Sequence, residues 1–326
     1  MHELDRRRFL HQTALAACLA PLPLAGRAEE RYPARPIRIV CPFTPGGGSD
    51  FMARTAARVL GERLEQSVIV DNRPGAGGTL GCDHALRSPA DGYTLLLIAG
   101  SYTVNPSLYK LRFDPVADMT PVIQLSKGAY VLCVNAALPF KTLVELLAHG
   151  RQNPGRISFA SAGTGSHLHI VTEYLFGMAG VQATHVPYKG TGPAINDLLA
   201  GQVDVLVAGT EALMQHVKGG RLRALAVTTA QRLRAYPDIP AVAECGLPQY
   251  DVVAWHGLIA PKGLPAAIQT SLNSQLDAGL QSPALLSQLE PTGVLPAGGK
   301  PEAFAALIQA EIPRYAKVVR EHKIQT

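Results

Sequence analysis

The sequence predicts an α/β fold of two domains, each a mixed, mostly parallel sheet with helices on both faces. Three observations carry that prediction. Short apolar runs alternate with segments of helical spacing along the chain, the pattern of strands joined by covering helices. With 326 residues, the chain exceeds one ordinary core of roughly 150 residues. No long flexible linker separates two halves, so the path crosses between the domains more than once.

The elements follow in order. Pro36-Ile37-Arg38-Ile39-Val40-Cys41 reads as the first strand. Residues 42–49 form a loop set by Pro45 and Gly46-Gly47-Gly48, and 50–64 carries apolar residues at helical spacing. Residues 67–71 give a second strand, and the Asp91-Gly92 turn precedes a third at 94–98. A strand at 130–134 opens a second α/β segment with helix 143–151, strand 157–160, helix 166–179, strand 184–186, helix 192–200 and strands 203–207 and 222–227. A return strand at 252–259 and helices at 266–280 and 301–321 complete the chain. The expected domains are therefore 29–130 plus 253–326, and 131–252.

Residues 1–28 read as an export signal. Arg6-Arg7-Arg8 precedes an apolar run that ends before Pro21 and is shorter than the about 20 residues of a bilayer span. Small residues at Gly26 and Ala28 suit cleavage after Ala28. Arg6-Arg7-Arg8-Phe9-Leu10 also fits a twin-arginine signal. A competing reading takes Leu15-Ala16-Ala17-Cys18 as a lipobox with Cys18 lipidated; cleavage after Ala28 is favoured, because such tetrapeptides arise easily by chance. The expected location is the periplasm.

Apolar residues make up 47% of the chain and charged residues 17%, a composition that buries real cores and excludes disorder. The formal charge is +5, and residues 1–28 hold +2 of it, which leaves +3 to attract anions mildly. The sequence has no Lys/Arg run of the kind that binds nucleic acid. Cys41, Cys82, Cys133 and Cys245 form no CxxC pair, so neither a zinc nor a thioredoxin-like site is expected. Gly75-Ala76-Gly77-Gly78-Thr79-Leu80 fails G-x-G-x-x-G at its last position, and no phosphate-binding P-loop occurs. No cofactor and no metal are expected, and the protein reads as a monomer.

Two strand-to-helix loops are the candidate binding elements. The first is Phe43-Thr44-Pro45-Gly46-Gly47-Gly48-Ser49-Asp50; the second is Ser161-Ala162-Gly163-Thr164-Gly165-Ser166. Glycines let backbone N–H groups approach a ligand, and a helix N-terminus supplies unpaired donors with a positive dipole end. Together they bind an anion without Arg or Lys. Ser49, Thr164 and Ser166 add hydroxyl donors. The plainer reading is a pair of glycine turns with Ser or Asp caps, but two such loops at equivalent places in two α/β units suit a grip from both sides of a cleft.

These strings, with Pro36-Ile37-Arg38-Ile39-Val40 before the first loop, Asp71-Asn72-Arg73-Pro74-Gly75-Ala76-Gly77-Gly78, Asp91-Gly92-Tyr93-Thr94-Leu95-Leu96, His185-Val186-Pro187-Tyr188-Lys189-Gly190, Leu225-Ala226-Val227-Thr228 and Trp255, stand in the order found in tripartite tricarboxylate transporter receptors, the Bug-type extracytoplasmic solute receptors. The chain resembles that family over nearly all of its length beyond the signal. The resemblance implies a two-domain periplasmic binding protein of the type II, Venus-flytrap kind with two interdomain crossovers. It implies a ligand that is a small carboxylate: a di- or tricarboxylate, an acidic amino acid or an aromatic acid. It implies permease subunits of a tripartite transporter as partners. The two loops would hold the carboxylate, with His169 beside the second, Ser101 and Thr103 on the first-domain wall, and Asp204 and the 208–210 loop at the distal end. Ala208-Gly209 is small where the family carries an aromatic or acidic residue, which leaves the distal specificity open.

Other readings are weighed against this one. His167 and His169 lie two residues apart and so do not share a helix face for a metal; His169 is expected to support its loop. Asp50 is favoured as a cap over a direct ligand contact, and Lys189 is balanced between a solvated lysine and a cation for the carboxylate. The lone Trp255 is expected to pack in the core. An exported hydrolase built on Ser49 or Ser166 lacks the G-x-S-x-G elbow. A sensory module for a membrane signalling protein would share the same pocket. The expected protein is a receptor and not an enzyme.

Overall fold

The computed structural model describes residues 32–322, 324 and 325, so the export signal and Cys18 lie outside the described residues. Arg35–Thr326 forms one compact unit.

Strand β1 (Ile37–Cys41) leads through the first glycine loop into helix α1 (Gly48–Leu64). Then come β2 (Val68–Asn72), α2 (Thr79–Leu86), β3 (Thr94–Ala99), the single turn α3 (Ser101–Val104) and β4 (Met119–Asn135). The chain continues through α4 (Leu143–Gln152), β5 (Ser158–Ser161), α5 (His167–Ala179), β6 (Thr184–Pro187), α6 (Thr191–Leu199), β7 (Val205–Gly209), α7 (Thr210–Lys218) and β8 (Leu222–Val227). It returns in β9 (Val253–Pro261) and ends with α8 (Ala266–Leu280), α9 (Pro283–Leu289), β10 (Leu295–Pro296) and α10 (Pro301–Glu321).

The sheet runs in the order β2-β1-β3-β9-β4-β7-β5-β6, with β8 and β10 also pairing β4. It is mixed. The β2-β1-β3 and β6-β5-β7 sets are parallel, whereas β9 and β4 run antiparallel to their neighbours. Strand β4 joins the two sets: Met119–Ala129 pairs with β9, and Tyr130–Val134 pairs with β7. The expected strand at 130–134 is thus only the second part of β4. Its first part contains Pro121, Ser126, Lys127 and Gly128, which obscure any period of two. Long-range pairing with β9 holds that part in place, with register shifts at Pro121/Ile123 and Gln124/Ser126.

Apolar alternation explains why each half buries a core. In the half built on β1, Leu96, Ile98, Ile259 and Ile308 pack around Trp255, whose ring meets Phe304 edge-on at 5.7 Å. Trp255 Nε1 donates to the buried Glu311 at 2.8 Å, so the indole keeps its hydrogen bond inside the core. In the other half, Leu132, Phe159, Leu175, Phe176 and Val207 form a second cluster, and Phe43 from the first loop packs against it. Cys41, Cys82, Cys133 and Cys245 are free. No described helix is long and apolar enough to cross a membrane.

Candidate functional site

Strands β1 and β5 hold matching places, each the middle of a parallel three-strand set. At the carboxyl end of each, a glycine loop opens into a helix, the position at which open α/β sheets bind ligands.

Asp50 orders the first loop. Its Oδ2 accepts from Gly46 N at 3.1 Å and Arg54 Nε at 2.9 Å, and its Oδ1 accepts from Asn72 Nδ2 at 3.0 Å. Asn72 Nδ2 also donates to Phe43 O at 2.9 Å. Burial works to raise the Asp50 pKa, but the bonds from Arg54, Asn72 and Gly46 outweigh it and hold the carboxyl below its usual range. Helix α1 begins after Gly47, and no side chain caps it. Its first turn therefore has no side-chain acceptor from the cap position. A Cβ on Gly48 would fall 1.8 Å from Glu211 Oε1, so only glycine lets the helix start come this close to the opposite half.

The second loop is held from beneath. Ser161 Oγ bonds His185 Nε2 at 2.7 Å and accepts from Gly163 N at 3.1 Å. Gly165 N donates to His169 Nδ1 at 3.3 Å, and the His169 ring stacks on His185 at 3.9 Å. Gly165 has φ +74°, and a Cβ there would lie 2.5 Å from the Tyr109 ring, so a side chain would push the two halves apart. Ser166 Oγ caps α5 by accepting from His169 N at 3.3 Å. That bond uses the hydroxyl as an acceptor and leaves its proton free to donate. Ser166→Ala is accordingly expected to lower the unfolding free energy by about 1 kcal/mol, the usual cost of a lost cap, as measured by urea denaturation.

The loops meet at one cleft. Phe43, Gly48, Ser49, Ala99, Ser101 and His256 line it from one half, Tyr130 lines it from the point on β4 where the halves join, and Ala162, His167, Leu168, Thr191, Gly209 and Glu211 line it from the other. Ser101 Oγ accepts from His167 N at 2.9 Å, and the Tyr130 hydroxyl bonds His167 Nδ1 at 2.8 Å. Burial pushes His167 down to about 3 and His256 down to about 4, so both rings are neutral at pH 7. Glu211 is pushed up to about 7 by burial. Beyond Phe43 and Ala162 the cleft opens into a mouth lined by Gly75, Gly77, Tyr109, Gly163, Thr164 and Lys189. The inner cavity has no lysine or arginine among its described lining residues. Backbone N–H groups, hydroxyls and helix α1 are what it offers an anion. No group of three or more metal-ligating side chains occurs among the described residues.

Of the residues expected from sequence, Phe43, Gly48, Ser49, Ser101 and Ala162 line the inner cavity, and Gly163 and Thr164 line its mouth. Gly46 lines a neighbouring hollow. Gly47, Asp50, Ser161, Gly165, Ser166 and His169 shape the loops. Two others are engaged elsewhere. Thr103 is fully buried and donates to Gly100 O and Glu311 Oε2. Asp204 Oδ2 accepts from Ser158 N and Ser158 Oγ, both at 2.8 Å. Sequence reasoning missed Tyr130, His167, Thr191, His256 and Glu211 as cleft residues. Only Glu211 left a usable signal, an acid directly after the small run Ala208-Gly209-Thr210.

Comparison with known proteins places the chain in one family. The model of the tripartite tricarboxylate transporter family receptor matches residues 52–324. Protein BugT of Bordetella pertussis is 38% identical over 311 residues, covering 94% of each chain. MatC from Rhodopseudomonas palustris, solved with bound malate, is 31% identical with a TM-score of 0.84, covering 88% of this chain and 100% of that one. An R. palustris protein solved with adipate is 35% identical with a TM-score of 0.87, covering 90% of this chain and 99% of that one. The fold is that of a type II periplasmic binding protein, and the chain belongs to the tripartite tricarboxylate transporter receptor family, whose members are periplasmic solute-binding receptors.

Proposed function

We propose that this receptor captures a small carboxylate in the periplasm and presents it to the permease subunits of a tripartite transporter. The carrying observation is the convergence of two glycine loops, from matching strands of the two sheet halves, on one cleft with an uncapped helix N-terminus. The adipate and malate bound by its structural relatives support the ligand class.

In this reading, residues 29–130 plus 253–326 and residues 131–252 are two lobes, joined through β4 and the segment before β9. The change of β4 partner at Ala129/Tyr130 supports those bounds. A carboxylate docks first on the loop from Phe43 to Asp50, and the loop from Ser161 to Ser166 then closes over it. Closure excludes water and strengthens the contact between charge and helix dipole. The protein acts by binding alone and performs no chemistry on its ligand.

A thermal-shift panel tests this, with purified protein freed of retained ligand. It includes citrate, C4–C6 dicarboxylates, glutamate, nicotinate and aromatic diacids. A true ligand at 100 times its Kd adds about 2.7 kcal/mol of stability, a rise of roughly 5 °C in Tm for a chain of this size. Folded protein that shows no shift with any of these compounds would end the carboxylate reading.

A further inference from the structure

Glu211 sits where a receptor for simple dicarboxylates has least use for an acid. It is the one carboxyl among the described residues that line the inner cavity. Its Oε1 is shielded from solvent and accepts no hydrogen bond among the described residues. The carboxyl lies against the glycines at the starts of two helices, since a Cβ on Gly48 or on Gly209 would fall within 2 Å of Oε1, at 1.8 and 1.9 Å. A second polar atom in the same cavity is likewise unmatched: His167 is 2% exposed, and its Nε2 has no partner.

Among the described residues no lysine or arginine lines the cavity with Glu211. The other titratable side chains facing the cavity are His167, His256 and Tyr130, and burial keeps all three uncharged at neutral pH. Tyr236 is a further uncharged neighbour on the far side. A second carboxylate seated on α1 beside Glu211 either meets a like charge or obliges Glu211 to keep its proton, and above pH 7 both are costly unless something positive comes with it. A ligand that carries its carboxylate and an ammonium on the same carbon answers both demands. The carboxylate takes the N–H groups of α1 and the Ser49 hydroxyl, and the ammonium donates to the orphaned oxygen of Glu211.

We propose that Glu211 is a specificity-determining residue that makes this cleft select α-amino acids over carboxylates of the same skeleton without the amino group. The proposal rests on the receptor reading above and narrows its ligand class.

The test is calorimetric titration at pH 7.5 with pairs that differ only by the amino group: aspartate and succinate, glutamate and glutarate, valine and 3-methylbutanoate. In at least one pair the amino acid is expected to bind tenfold or more tightly than its partner. Glu211→Gln keeps the shape and removes the charge, and is expected to cut that ratio at least tenfold. Glu211→Asp keeps the charge and is expected to retain the preference, which controls for a glutamine variant that folds poorly. Equal binding within every pair overturns the proposal, as does a ratio that survives Glu211→Gln. Tight succinate or glutarate binding that weakens as pH rises through 7 also overturns it, because Glu211 would then hold a proton and donate to the ligand. Those three outcomes leave the carboxylate receptor standing. Failure of all six compounds to bind overturns the proposal alone, and the citrate, nicotinate and aromatic-diacid arms of the thermal-shift panel then decide whether the carboxylate receptor stands.

Discussion

Taking the protein from pH 7.5 to pH 5 is expected to remove several kcal/mol of its stability. His167, His169 and His256 are buried, with folded pKa values lowered by burial to about 3, 4 and 4. An unfolded histidine titrates near 6.5. Each folded value lies below the unfolded one, so acid protonates the unfolded chain first and pulls the equilibrium toward it. This stability is complete above pH 6.5 and is lost as pH falls from 6.5 toward 4. At pH 5 the loss is on the order of 2 kcal/mol for each of these rings. His185, lowered to about 3 but only half-buried, adds less. Glu211, pushed up to about 7 by burial, works the other way: its folded form takes up a proton as pH falls through 7 and returns on the order of 2 kcal/mol by pH 5. Glu173, 3.8 Å from His169 Nε2, offsets a further fraction once that ring charges. Asp50 adds to the loss at still lower pH, since its depressed pKa contributes stability that disappears as its carboxylate is protonated. Urea midpoints at pH 7.5, 6 and 5 provide the measurement. A midpoint that stays flat over that range would show that the rings are hydrated in solution.

Phe159→Ala is expected to cost about 3–5 kcal/mol, the range for truncating a buried aromatic ring. Phe159 is 0% exposed on β5. Its ring meets Phe176 edge-on at 5.7 Å and stacks on His185 at 4.9 Å and on His169 at 6.2 Å. Those two histidines hold the second glycine loop through Ser161 and Gly165. The cavity left behind therefore opens beneath the binding loop, and ligand affinity is expected to fall along with stability. Phe159→Leu fills most of the volume and is expected to lose about 1 kcal/mol, as shape-conserving exchanges do. Denaturation curves for both variants, with titration of a ligand found in the thermal-shift panel, separate the two effects. Equal stability of the alanine variant and the parent would mean that the core collapses around the gap.

Several features were legible from residue order alone. Short apolar runs such as 37–41 and 94–98 and the helical spacing of 50–64, 266–280 and 301–321 reappear as β1, β3, α1, α8 and α10, because these patterns are set by residues close together in the chain. The two glycine loops were legible for the same local reason: positive φ and close approach demand glycine wherever they occur. Helices α2, α7 and α9 were not, because each is under ten residues and takes its stability from packing.

The cleft lining divides along the same line. Phe43, Gly48 and Ser49 are contiguous in the chain, so motif reading found them. Tyr130, His167, Thr191, Glu211 and His256 come from five separate elements, and nothing in any one segment marks them as neighbours. Ser166 and Asp204 show the converse. Both are residue types that bind ligands in such loops, and each also accepts from a backbone N–H, Ser166 Oγ from His169 and Asp204 Oδ2 from Ser158. Sequence determined which groups were available; the pairing of β4 with β7 and β9 decided which of them face one another. A buried polar atom takes whichever partner the closed fold brings within reach, and that choice depends on contacts far apart in the chain.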